Sequence, residues 1–195
     1  MQATTLSFNN IHTYGELFTN LLKARYESFS LGKPAETPGT EGMEFDQYDT
    51  PDSRWVAIHD AGHVLGGFRL TPTTAECGMY SYMIKDAQAG LSEAIPDDLL
   101  YVEAPCAPHI FEFSRFFITD GLPSHTRKTV QSRLLYALLE TRQTLGVEIV
   151  LGLGSVSLGR WMKRSGLEID PLGPIIEIDG KEHQSYIVNL PEVAL

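Results

Sequence analysis

No stretch of this 195-residue chain approaches the roughly 18 consecutive apolar residues of a membrane span. Its opening Met1-Gln2-Ala3-Thr4-Thr5 lacks the basic segment and apolar run of a secretory leader. A cytoplasmic protein with no membrane partner is expected. Cysteine is scarce: Cys77 and Cys106 lie outside any CxxC or Cys/His cluster, which excludes a disulfide framework and a zinc site and leaves two ordinary buried or half-buried thiols. Basic residues are few as well. Fifteen Lys and Arg against 25 Asp and Glu give a net charge of −10, which argues against a nucleic-acid partner, since binding the phosphate backbone needs a basic surface. There is no GxSxG elbow, no GxxxxGK[ST] phosphate loop and no HExxH pair. Histidines 12, 59, 63, 109, 125 and 183 show no partner spacing and read as surface or turn residues.

The chain does have ample apolar content, 43%, enough to bury the core of one domain spanning 1–195. Thr13-Tyr14-Gly15-Glu16 reads as a capping box that opens a helix running to about Phe29, with Leu17, Leu21 and Leu22 at helical spacing. Gly32–Gly42, with two prolines and no periodicity, reads as a loop. Arg54–His59 and Val64–Leu70 flank Asp60-Ala61-Gly62 and predict a hairpin. A short helix is expected near Met79–Ala89, and the aromatic run Ile110–Ile118 predicts a buried strand. Past Gly121-Leu122-Pro123, Val130, Leu134, Ala137, Leu138 and Leu145 share one face of a long helix closed by Gly146. A strand over Val147–Leu153, a helix over Val156–Arg164 ending at Gly166, and a hairpin of Ile175–Ile178 and Tyr186–Leu190 about Asp179-Gly180 complete the order. This succession describes an α+β fold, a mixed sheet with helices on both faces.

Two polar groupings stand out. Glu44, Asp46, Asp49 and Asp52 crowd the approach to the first hairpin, whose second strand carries Arg69, placed to neutralise one of them. The acids lack the spacing and glycine of a calcium loop, and no histidine sits at ligand distance in sequence, so no metal is expected. Glu112-Phe113-Ser114-Arg115 puts two charges inside an apolar run, a costly arrangement unless they are paired. In a regular strand residues 112 and 115 face opposite ways, so either they do separate jobs or a β-bulge brings them to one side. A structural ion pair between strand and helix is the competing reading. Residues 113–164 also hold eight basic residues against three acids, a local +5 beside −15 elsewhere, which suits an acidic partner or a phosphate-bearing ligand. Two solvated helix faces would give the same count.

Taken in order, these pieces resemble the acyl-homoserine lactone synthases that make bacterial quorum-sensing signals. The matching residues are Arg25-x-x-x-Phe29, Glu44-x-Asp46-x-x-Asp49, Gly67-Phe68-Arg69-Leu70-x-Pro72-Thr73, Glu112-x-Ser114-Arg115-Phe116, and the tail Arg164-Ser165-Gly166-Leu167 with Leu172-Gly173-Pro174. The resemblance covers about residues 20 to 190. It implies an acetyltransferase-like (GNAT) fold and two substrates: S-adenosylmethionine, and a fatty acyl chain on acyl carrier protein or coenzyme A. No further cofactor is implied. Catalytic roles fall on Asp46, Asp49, Arg69, Glu112 and Arg115, with Glu112 as the expected general base. Substrate binding falls on Arg25, Phe29, Glu44, Ser114 and Phe116. Arg160, Lys163 and Arg164 are the expected docking contacts for acidic acyl carrier protein. The chain departs from the family at two places: Gly32–Gly42 contains no tryptophan, and Gly152, Gly154 and Ser155 stand where a threonine tied to 3-oxo chains often sits. The rival readings are a related acyltransferase that never closes a lactone, and a synthase-like binding module.

Overall fold

Ala61 and Gly62 set the first hairpin: both have positive φ (+47° and +86°), the pair of left-handed residues that a two-residue turn between twisted strands requires. The turn joins β4 (Arg54–Asp60) to β5 (His63–Pro72). A strand absent from the sequence reading, β1 (Gln2–Leu6), pairs with β4 in antiparallel fashion and places Leu6 opposite Trp55. The computed structural model describes residues 1–29, 39–40 and 42–192, with the backbone alone at 39 and 40. The expected loop Gly32–Gly42, and with it the missing tryptophan, therefore lies mostly outside the described residues. Its last part is not a loop: β2 (Gly39–Thr40) pairs with β3 (Met43–Glu44).

The chain divides into two compact units, 1–70 with 115–138, and 71–114 with 139–195. In the first, α1 (Leu17–Phe29) buries Leu17, Leu21 and Ala24 against Leu6, Trp55, Ala57, Val64 and Phe117. The capping box does not form. Gly15 takes φ +58°, outside the helical region, so Thr13 instead ends a 3-10 turn (Ile11–Thr13) with its hydroxyl donating to the Asn10 carbonyl. Strand β5 is buried continuously from Val64 to Thr71, as a strand covered on both faces must be. Two adjacent glycines show what covers it. A Cβ on Gly67 would meet the Val56 carbonyl at 2.6 Å and Leu21 of α1, while one on Gly66 would meet the Phe117 carbonyl at 2.9 Å and Val130 of α3 (Ser124–Leu145). Successive strand residues point to opposite faces, so α1 and α3 flank this sheet on its two sides.

The second unit is built on β6 (Ile110–Ile118, shared between the units), β7 (Ile149–Ser155), β8 (Glu168–Ile178) and β9 (Lys181–Asn189). Strands β6 and β7 run parallel for three residue pairs, ending at Glu112 and Leu151, and β7 pairs antiparallel with β9 along its whole length. Beyond the ladder Gly152 nearly touches the Phe113 carbonyl, where a Cβ would lie 2.7 Å away. That is the close backbone packing its sequence suggests. On one face α4 (Val156–Arg164) sets Gly159 against the Tyr186 ring; on the other, α2 (Met83–Gln88) buries Ile84 and Ala87 with Leu99 and Leu151. Edge strand β8 loses register between Pro171 and Ile175, a stretch holding two prolines that cannot donate to a ladder. The strand order is β1-β4-β5-β6-β7-β9-β8. Mixed sheet and two-sided helical cover agree with the expected α+β class.

Candidate active site

Three arginines and three carboxylates, drawn from four elements of the first unit and the turn after β3, form one buried network. Arg25, on the inner face of α1, is 1% exposed and grips Asp49 with both guanidinium nitrogens (Nη1–Oδ1 2.8 Å, Nη2–Oδ2 3.1 Å) while its Nε donates to Glu44 at 2.5 Å. Arg69 on β5, 0% exposed, reaches Asp46 at 2.5 Å and Asp49 at 3.1 Å. Arg115 donates through Nε to Glu44 at 2.9 Å and holds Asp46 through Nη2 at 2.7 Å. The acids are positioned locally too: the Asp46 carboxylate accepts the Tyr48 N–H, and the Asp49 carboxylate accepts the Asp46 N–H. Three positive and three negative charges balance, which makes their burial tolerable. The acids that could have suggested a metal site thus face guanidiniums. Asp52, the fourth acid of the sequence cluster, is exposed and stands outside the network.

Burial alone would raise the Asp49 pKa; Arg69 and Arg25, with the hydrogen bonds from Arg25 and the Asp46 N–H, reverse that and hold its carboxyl well below the usual range. A further donor was invisible in the sequence. The Trp55 indole N–H reaches Asp49 Oδ1 at 2.7 Å from a fully buried ring that packs edge-on against Phe18. Only its place six residues after Asp49, at the mouth of a strand, could have hinted at this.

Arg115 has the most exposed side chain of the six, 26%, and its guanidinium lies over the Phe29 ring at 5.6 Å. Its backbone has φ +53°, rare for a non-glycine residue. The backbone therefore departs from regular extended geometry within β6, and Glu112 and Arg115 have separate partners, the first of the two expectations for this pair. Phe29 in turn meets Phe117 edge-on at 6.1 Å. Phe116 is half-buried beside Arg115 in sequence.

In the second unit Glu112 is 0% exposed, and both its oxygens accept backbone hydrogen bonds, from Ile84 N–H at 2.8 Å and Met83 N–H at 3.3 Å. Ser114 is buried on the same strand. Burial, and next the Glu112 charge, push the Tyr82 phenol upward; its hydroxyl donates to the Pro105 carbonyl. An apolar cavity of about 20 Å³, room for about one water, is lined by Phe113, Leu153, Leu158, Met162 and Tyr186. Arg160, Lys163 and Arg164 are all exposed along α4. Two expectations fail. Cys77 and Cys106 are exposed thiols, because they sit in connecting segments and not in the core. His59 is a buried strand residue, its Nε2 2.9 Å from the Thr4 hydroxyl and its Nδ1 accepting the Gly62 N–H.

The fold is similar to that of a solved N-acyltransferase. A solved acyl-CoA N-acyltransferase from Pseudomonas aeruginosa matches over 95% of this chain and 97% of its own, with a TM-score of 0.55 at 13% identity. The sequence profile described as autoinducer synthase matches residues 35–192, and the chain belongs to that family. It is 30% identical to an acyl-homoserine-lactone synthase of Vibrio anguillarum over 80% of this chain and 76% of that one. The structure of TofI, solved in a ternary complex with an inhibitor and MTA, matches over 97% of this chain and 92% of its own, with 26% identity and a TM-score of 0.74. The enzyme class is that of the family, an acyltransferase. Among the described residues no helix is long and apolar enough to cross a membrane.

Proposed function

We propose that this chain works in the cytoplasm, joining a fatty acyl group to the amine of S-adenosylmethionine and releasing an N-acyl homoserine lactone. The observation that carries the reading is the partly exposed Arg115 side chain, braced by Glu44 and Asp46 and lying on Phe29, in a chain of the autoinducer synthase family. Arg115, Phe29 and Phe116 contact S-adenosylmethionine. Arg25, 1% exposed and held by Glu44 and Asp49, acts indirectly, and Glu44, Asp46, Asp49 and Arg69 fix the frame. A preorganised cation of this kind binds a carboxylate without first ordering its own side chain.

The reaction balances in two steps. The neutral amine attacks the thioester carbonyl, the C–S bond breaks, and the proton lost by the amine passes through solvent to the departing thiolate, so that the carrier leaves as a thiol. The methionine carboxylate then displaces the sulfonium sulfur, closing the lactone and releasing methylthioadenosine. Glu112 and Ser114 belong to the acyl-transfer half. The acyl chain enters the cavity beside Phe113 and Met162, which widens as the flexible Met162 side chain changes rotamer. The donor is acyl carrier protein, or coenzyme A as in some of the family, and Arg160, Lys163 and Arg164 form the docking face for an acidic carrier.

Mass spectrometry of organic extracts from cells expressing the protein tests the reading: N-acyl homoserine lactones are expected. Acylated amino acids without a ring would select the related acyltransferase instead. Reversing the three α4 charges together is expected to raise KM for the acyl carrier protein donor about tenfold while leaving a coenzyme A donor unaffected.

A further inference from the structure

We propose that Glu112 is a positioning residue, which orders the Met83–Gln88 helix by capping it from a distant strand and does not take the proton from the attacking amine. The proposal rests on the lactone-synthase reading and assigns that reading's most suggestive carboxylate a different task.

Helix α2 has no cap of its own. Its N-cap residue is Tyr82, extended at φ −124° and ψ +154°, with no side-chain hydrogen bond to the first turn. Tyr82 uses its hydroxyl on the Pro105 carbonyl, and Ser81 donates its hydroxyl to Asp86 at 2.6 Å and its N–H to the same carboxylate. The residues that normally satisfy the free N–H groups of a first turn are therefore missing or engaged. Glu112, 28 residues along the chain from Ile84, supplies both acceptors. Its charge also complements the positive end of the helix. The helix it holds carries Ile84 and Ala87 into the apolar cluster with Leu99, Leu100 and Leu151, so a loosened first turn would loosen that wall.

The same contacts make Glu112 ill suited to proton removal. A general base becomes a neutral acid at the moment it acts, and here that would weaken the acceptor for two N–H groups at once, one buried and one part-buried. Nor does the chemistry require a dedicated base. An α-amino group with a reference pKa of about 7.7–8.0 is roughly one-tenth neutral at pH 7.

The test uses Glu112→Gln in the full-length protein, with hexanoyl thioesters of coenzyme A and of acyl carrier protein as donors. Amide exchange in the free protein is expected to quicken about fivefold across Met83–Gln88, the usual effect of losing a cap. The value of kcat/KM should fall about tenfold, while the acidic limb of its pH profile stays where the wild type has it. Adding Met83→Pro should then restore both protection and rate. Proline at a first helical position needs no acceptor and brings its own helical φ, and the extended Tyr82 before it already has the conformation proline demands. The double variant also provides folded protein if Glu112→Gln alone is unstable. Loss of the acidic limb, a hundredfold or greater fall in kcat/KM with unchanged exchange, or proline restoring protection without restoring rate would each overturn the proposal. If the wild type does not acylate S-adenosylmethionine at all, the lactone-synthase reading fails, and the exchange measurements still decide the cap.

Discussion

The first unit holds its charges in a mutual network, whereas the second holds the fully buried Glu112 carboxylate with backbone N–H groups. In the first, Glu44 and Asp49 each meet two arginines and Asp46 meets all three, so every member depends on the others. In the second, Glu112 serves a six-residue helix whose remaining support is apolar packing. Removal of one member should therefore be felt as a collapse of charge balance in one place and as a local loosening in the other.

The largest expected effect tests that contrast directly. Asp49→Ala leaves Arg25 and Arg69 buried without their shared partner and should cost about 3–5 kcal/mol of stability in denaturant unfolding, with acylation lost. Glu112→Gln should cost only about 1 kcal/mol in the same assay. Equal losses would erase the distinction. Next, Trp55→Phe keeps a buried ring but deletes the donor to Asp49. A loss of about 1.5–3 kcal/mol is expected, as for a buried hydrogen bond to a charged group, and a change near zero would remove Trp55 from the network. In the second unit, Gly152→Ala drives a Cβ toward the Phe113 carbonyl and should cost about 1–3 kcal/mol by calorimetry.

The smallest effect concerns pH. Burial, and then the charge of the chain's amino terminus, lower the His59 pKa below its ordinary 6.5, and Asp60 opposes this only in part. The neutral ring is the form that folding favours, so its contribution is complete above about pH 6.5 and is lost as the pH falls through the folded value. Asp49, also depressed, loses its contribution only below about pH 4. Unfolding scans should show the wild type weakening before His59→Gln does as pH drops from 7 to 5; parallel curves would refute the assignment.

The motif residues of the first unit were legible in sequence because carboxylates and arginines crowd a short apolar context where an unpaired charge would be costly. The hairpin was equally legible, since Ala61-Gly62 can make its turn. Strand β1 was not: only Leu6 of its five residues is buried, so it carries no alternating pattern and owes its existence to the open edge of β4. The helix expected near Met79–Ala89 lies within that span but starts later, at Met83, where Glu112 accepts its first N–H groups.

The sequence by itself determined the family, the order of elements from the first hairpin onward and the six charged residues of the network, because periodicity, turn chemistry and motif spacing are local properties. Tertiary structure alone decided which acid meets which arginine, that the Trp55 indole joins Asp49, and that the Glu112 carboxylate ends on a helix. Those pairings depend on where distant side chains come to rest in three dimensions, and hydrogen-bond geometry over a few ångströms has no counterpart in the spacing of residues along a chain.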